Sequence, residues 1–257
     1  MKKPKIISVA NQKGGVGKTT TALNIAAGLV KVEKRVLLID FDPQGNLSQY
    51  LGYEPDDRPT IGDLMSRAVT GTATPLTDAI RRSPEGIDYI PSNISLSSAD
   101  FFLITAMSRE QVLKKVLSDP AVQAYDYVII DCLPSLGILL VNALAASDSI
   151  LIPVQAQKFA LDGLDLLLGI YKMVKSNINP GLQIDGVLLT MADNTNMSKA
   201  VGAALADRFK EKVFGTRISR SVEATNSTYE QKSLVAKKSS RLGKEYLAVT
   251  SELIARS

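Results

Sequence analysis

The stretch Gln12-Lys13-Gly14-Gly15-Val16-Gly17-Lys18-Thr19-Thr20 constrains this chain more than any other feature. It follows the apolar run Lys5–Ala10, which reads as a buried strand, and it opens Lys18–Val30, whose apolar spacing is that of a helix. A glycine-rich turn in that context is what a phosphate-binding loop requires. Gly14, Gly15 and Gly17 let the main chain aim N–H groups inward with no Cβ in the way, Val16 between them is a further nucleotide-binding candidate, and the helix start adds the positive end of its dipole. Lys18 is placed to reach the β- and γ-phosphates, the Thr19 hydroxyl to ligate Mg²⁺, and Thr20 to bond the α-phosphate. One position departs from G-x-x-x-x-G-K-[ST]: Gln12 stands at the first glycine, and Lys13 adds a second cation. The bland alternative, a tight strand-to-helix connection, does not account for Lys-Thr-Thr at the helix start.

The remaining chain repeats the strand–helix rhythm. Arg35–Asp40, Ile87–Pro91, Tyr127–Asp131, Ser149–Val154 and Ile184–Thr190 are short, apolar and β-branched, and several are continuous runs of the kind buried on both faces of a parallel sheet. Gln111–Leu117, Leu139–Ala146, Ala160–Lys175 and Ser198–Lys212 carry helical patterns between them. Alternation of this kind predicts an α/β fold, a doubly wound and mainly parallel sheet with helices on both faces. We expect residues 1–257 to form a single domain with an edge insertion at about 52–85, in which Thr60-Ile-Gly-Asp63 starts a helix, and a basic C-terminal region at about 208–257. Leu242, Tyr246, Leu247, Leu253 and Ile254 form an apolar stripe at helical spacing, expected to pack on the body.

Two strand ends are acidic. Val36-Leu-Leu-Ile-Asp40 runs into Phe41-Asp42-Pro-Gln-Gly-Asn46, and Val128-Ile-Ile-Asp131 into Cys132-Leu-Pro134. Carboxylates at the C-terminal ends of parallel strands face the ligand crevice, where they can hold Mg²⁺ or orient water. Each can instead cap the following turn. Beside the loop, Asp42 and Asp131 read as site residues, while Asp40 stays open between the two roles.

Composition removes several chemistries. With no His and a single Cys, Cys132, the chain cannot hold a Ser-His-Asp or Cys-His dyad, a His-ligated zinc or an internal disulfide. Polar residues break the N-terminal apolar run, which does not read as a signal peptide, and no stretch approaches 18 uninterrupted apolar residues. A cytoplasmic protein is expected. Net charge is +4, yet residues 208–257 hold eleven Lys and Arg against five Asp and Glu, a net of +6, so the other 207 residues sum to −2. A basic C-terminal fifth points to a polyanion; a solvated helical face is the plainer reading.

On these residues the sequence resembles the deviant Walker A ATPases and, among them, the ParA/Soj plasmid and chromosome partition family. The matching stretches are KGGVGKTT at 13–20, LLIDFDPQGNLS at 37–48, YDYVIIDCLPSLG at 125–137 and PVQAQKFALDGL at 153–164, with a weaker match in TRISRSVEA at 216–224. The resemblance implies an ATPase, slow alone and stimulated by a partner, that uses ATP and Mg²⁺. It implies a homodimer formed on ATP binding, non-specific DNA as ligand, a ParB-like centromere-binding protein as partner, and a nucleoid-associated, cytoplasmic location without a membrane. Lys13 would cross into the partner's site, Lys18 and Thr19 would bind phosphate and Mg²⁺, Asp42 would position the attacking water near the metal, and Asp131 would support the metal. Met191 and Arg220 are further nucleotide-binding candidates. DNA would be met by Arg208, Lys210, Lys212, Arg217, Lys237, Lys238, Arg241 and Lys244, with Lys232 and Arg220 also basic there. The sequence departs from the family pattern at Ser219, Leu133, Gln157 and Ala192. With the loop about a dozen residues in, the N-terminal helix-turn-helix segment of larger plasmid partition ATPases is not expected. A MinD-like membrane-positioning ATPase is the runner-up. Glu245–Ser257 reads poorly as the basic amphipathic helix it would need.

Overall fold

In a computed structural model describing residues 3–72, 74–158 and 160–256, the six strand candidates pair, with the unpredicted short strand Arg81–Arg82, into one seven-stranded sheet. In chain order the strands are β1 (Lys5–Val9), β2 (Val36–Phe41), β3 (Arg81–Arg82), β4 (Asp88–Ile90), β5 (Tyr127–Cys132), β6 (Ser149–Gln155) and β7 (Gln183–Thr190). They lie side by side as β3-β4-β2-β5-β1-β6-β7. Every pairing is parallel except that of β3 with β4. The direction of winding reverses around β1, which has β5 on one side and β6 on the other, so a crevice opens beyond its C-terminal end.

The helices are α1 (Lys18–Lys31), α2 (Asn46–Tyr50), α3 (Ile61–Thr70), α4 (Ala99–Ile104), α5 (Val112–Val116), α6 (Ile138–Ala146), α7 (Ala160–Asn177), α8 (Asn196–Phe209), α9 (Glu223–Tyr229) and α10 (Arg241–Ala255). Strand side chains alternate between two cores. Ile7, Val9, Leu38 and Ile129 pack with α1 and α10, whereas Ile6, Leu37, Ile39 and Ile130 pack with residues of α3 and α5 to α8. Both faces are therefore covered, and β2, β5 and β6 are buried along their whole lengths.

Pro153 sits inside β6 because β1 has already stopped pairing at Leu151, so no ladder bond to β1 is lost there. Segment 52–85 holds α3, whose start is closed by a capping box between Thr60 and Asp63, and the antiparallel edge strand β3. Ile61, Leu64 and Met65 of α3 belong to the second core. The expected long helix over 198–212 ends earlier. After Phe209 the chain turns through Lys210 at φ +49 into a single 3-10 turn. The C-terminal stripe packs inward: Leu242, Tyr246 and Leu253 are buried, and Leu247 and Ile254 are partly so.

Candidate active site

Beyond Val9 the chain leaves the sheet and is fastened at once. Ala10 N–H donates to the Leu151 carbonyl (3.1 Å), Asn11 Nδ2 donates to the Pro153 carbonyl (2.7 Å), and Asn11 Oδ1 accepts from Lys13 N–H (3.0 Å). The loop then turns through Gly15 and Gly17 at φ +71° and +87°, conformations that a Cβ would strain. Gly17 caps α1 without a side chain, and no acid lies in the first turn, so the N–H groups at this end are left to a ligand. From the far side, Thr190 Oγ1 donates to the Val16 carbonyl (2.8 Å), bracing the loop against the end of β7.

Lys18 folds back over the loop, its Nζ donating to the Lys13 carbonyl (3.0 Å). Burial lowers its pKa, and Asp131, Cys132 and Asp42 pull it back up. Asp131 and Asp40 stand in register on β5 and β2, both 1% exposed, but their surroundings differ. Asp131 Oδ1 has no hydrogen-bond partner among the described residues. Burial drives its carboxyl well above the usual range, Asp40 adds to this, and the Thr19 hydroxyl and Lys18 oppose it. An orphaned carboxylate oxygen beside a threonine hydroxyl fits a divalent cation. Among the described residues no group of three or more His, Cys, Asp or Glu could hold a metal; Mg²⁺ at such a site takes its other ligands from phosphate oxygens and water.

Asp40 is fully engaged. It accepts from Ser48 N–H (2.8 Å), Ser48 Oγ (2.7 Å) and Asp42 N–H (3.2 Å). Burial nonetheless outweighs these bonds and raises its pKa to about 6. It therefore takes the turn-capping role left open above. Asp42 is half-buried, faces the crevice, and accepts from Gln44 N–H (2.9 Å) through Oδ1.

The crevice is an open cleft of about 780 Å³, within the range of nucleotide-sized sites. Gly14, Gly15, Gly17, Lys18, Thr19 and Thr20 line it together with Asp42 and Met191. Val16 is buried behind the loop. Met191, at φ +50°, is held by Gln155 Nε2 donating to its sulfur (3.1 Å). Besides Val16, three predicted residues stand outside the lining. Asp131 lies buried at the end of β5; Lys13 Nζ donates to Gln157 Oε1 (3.2 Å); Arg220 is exposed, with its N–H bonded to the Ala192 carbonyl (2.9 Å). Two walls escaped the sequence reading: Asn46, Gln49 and Tyr50 of α2, and Ala224, Thr225, Thr228 and Tyr229 of α9. The spacing 46, 49, 50 marks one helical face and could have been read; the polar sequence of α9 carries no comparable signal.

The basic candidates are all exposed. Arg208 is ion-paired with Asp165, Lys237 lies 3.9 Å from Glu230, and Arg241 lies 3.7 Å from Glu245. Among the described residues, Lys210, Lys212, Arg217, Lys238 and Lys244 form no ion pair.

Residues 4–184 match the family model described as an AAA domain. The chain is 42% identical over 253 residues to the sporulation initiation inhibitor protein Soj of Bacillus subtilis, covering 98% of each. It is 39% identical to the chromosome partitioning protein ParA of Myxococcus xanthus, covering 98% of this chain and 88% of that one. The chain belongs to the ParA/Soj family of partition ATPases. A Mycobacterium smegmatis protein described as cobyrinic acid a,c-diamide synthase, solved with an ATP analogue and magnesium, superposes with a TM-score of 0.84 at 34% identity, covering 98% of this chain and 94% of that one. ATP and Mg²⁺ are the cofactors of this ParA/Soj-type ATPase, and the glycine loop, Thr19 and the free oxygen of Asp131 fit them.

Proposed function

We propose that the chain is an ATP-hydrolysing partition protein whose ATP-bound form pairs as a homodimer and binds DNA non-specifically. A ParB-like centromere-binding partner stimulates hydrolysis, which is slow without it, and so releases the dimer and positions plasmid or chromosomal DNA on the nucleoid. The observation that carries this reading is the division of labour between two lysines. Lys18 closes over its own loop, while Lys13 lies outside the lining of its own cleft, its ammonium bonded among the described residues to the neutral Gln157. A cation so placed is available to the γ-phosphate of a second copy, which makes that phosphate the contact distinguishing paired from unpaired states.

Within one copy, Lys18 and the loop N–H groups hold the phosphates, Thr19 and Asp131 hold the metal, and Asp42 orients the attacking water near the metal. Bound there, Mg²⁺ neutralises charge on the phosphate oxygens. The membrane-positioning alternative is weakened because α10 spends its apolar face on α1. No helix among the described residues is long and apolar enough to cross a membrane.

Co-sedimentation with non-specific DNA in ATP, in ADP and without nucleotide tests the reading, using Asp42→Ala to trap the ATP state. Binding confined to ATP and falling steeply with salt is expected. An Asp42→Ala protein that turns over ATP normally removes the role given to Asp42. Binding to liposomes in ATP, with none to DNA, favours the membrane-positioning alternative.

A further inference from the structure

Asp42 stands at the cleft on the loop between β2 and α2. The helix that follows, α2, has five residues, and its N-cap Gly45 has no side chain to tether the turn. Within the loop, Asp42 accepts from Gln44 N–H through its side chain and from Gly45 N–H through its carbonyl (3.0 Å). These bonds shape the loop without fixing it to the sheet.

The fixing is done from below. One carboxylate, Asp40, takes Asp42 N–H at one end of the loop and both Ser48 N–H and Ser48 Oγ at the other. Ser48 Oγ, its proton given to Asp40, accepts from Ser92 N–H (2.9 Å), just past the end of β4. Asp40, Ser48 and Ser92 are all 2% exposed or less. The chain of bonds thus runs from β4 through Ser48 and Asp40 to the main chain of Asp42. Gly45, at φ +64°, adds a steric stop: a Cβ there would stand 3.2 Å from the Ser92 carbonyl, so the loop is already close-packed against that segment.

Resting on the role proposed for Asp42, we infer that Ser48, acting with Asp40, is a positioning residue for hydrolysis. Its hydroxyl joins the loop to a neighbouring strand and so fixes where the Asp42 carboxylate stands. Neither Asp40 nor Ser48 lines the cleft. Loss of the link therefore leaves the phosphate cradle and metal ligands in place and lets Asp42 drift. Displacements of about 1 Å in a positioned group are enough to cost up to about a hundredfold in rate.

The test is Ser48→Ala, with kcat and KM for Mg-ATP measured beside the dissociation constant of a non-hydrolysable ATP analogue. The expected result is kcat down about tenfold or more with the analogue's affinity within about twofold of the parent. Amide exchange at Asp42–Gly45 should quicken while the core strands stay protected. If Ser48→Ala does not fold, Asp40→Asn serves. It keeps the volume, but an amide cannot accept from both ends of the loop, so the same split between kcat and affinity is expected. Parent-like turnover in the folded variant overturns the inference, and so does a loss of affinity in step with kcat, which marks a structural role only. An inactive Asp42→Ala beside a fully active Ser48→Ala removes this inference and leaves the function standing. A fully active Asp42→Ala removes the role of Asp42 itself.

Discussion

At neutral pH Asp131 occupies a setting that disfavours its charge, since it is buried, near Asp40, and left with one unbonded oxygen. Its pKa in the folded chain lies above the unfolded value, so the folded form holds that proton more tightly. The resulting stability is complete in acid and drains away as pH rises through the folded-state pKa. Above it, the ionised carboxylate is a cost to the apo protein, one that the metal role proposed for Asp131 would explain. Asp131→Asn should therefore melt higher than the parent without nucleotide in mildly alkaline buffer, by a margin that narrows as pH falls, and should lose Mg²⁺-dependent ATP binding. A variant that melts lower at every pH contradicts this. At this scale the loop was legible because its backbone demands particular residues: glycine at 15 and 17 follows from φ, and Lys18 and Thr19 from phosphate chemistry. The role of Asp40 was not legible, because what assigns it is Ser48, itself tied to Ser92 just past a strand brought alongside only by folding.

Elements whose sequence repeats a single physical pattern were readable, and those that rely on neighbours were not. β2 and β5 announce themselves as unbroken apolar runs because both faces of the sheet are covered. By contrast, α9 reads Glu-Ala-Thr-Asn-Ser-Thr-Tyr, with no apolar period and several poor helix formers. It holds its place through bonds made elsewhere, from Gln231 Nε2 to the Gln49 carbonyl (2.9 Å) and between the Tyr50 and Ser227 hydroxyls. That α10 packs on the body was legible as an apolar stripe, but that it meets α1, and how closely, was not. A Cβ on Gly28 of α1 would run into the Thr250 side chain of α10, and nearby Thr21 Oγ1 lies 3.2 Å from the Tyr246 hydroxyl. Gly28→Ala should cost about 1–3 kcal/mol by overpacking, outweighing the helix propensity that alanine gains. Adding Thr250→Ala, which removes the colliding atoms, should recover part of the loss in thermal or urea melts. Recovery of nothing places the strain elsewhere.

Across the whole molecule, charge is sorted along the chain: +6 in residues 208–257 against −2 in the rest. A net count treats those cations alike, whereas their surroundings do not. Arg208 is already spent on Asp165, and Arg241 is near Glu245 on its own helix, while Lys238 and Lys244 have no ion partner among the described residues. A cation free of an internal partner is free to displace counterions from phosphate, and each phosphate so neutralised adds about 0.9 to the slope of log affinity against log salt. In the proposed dimer each substitution counts twice, so Lys238→Ala with Lys244→Ala removes four candidate contacts and should flatten the slope by roughly 3 to 4. Arg208→Ala should alter it far less, because that guanidinium must leave Asp165 before it can serve a phosphate. Gel shifts over a salt series, run with the ATP-trapped protein, read both slopes in one experiment. If Arg208→Ala flattens the slope and the lysine pair leaves it unchanged, the DNA-facing surface lies on the α8 side of the molecule, and dimerisation doubles a different patch from the one around α10.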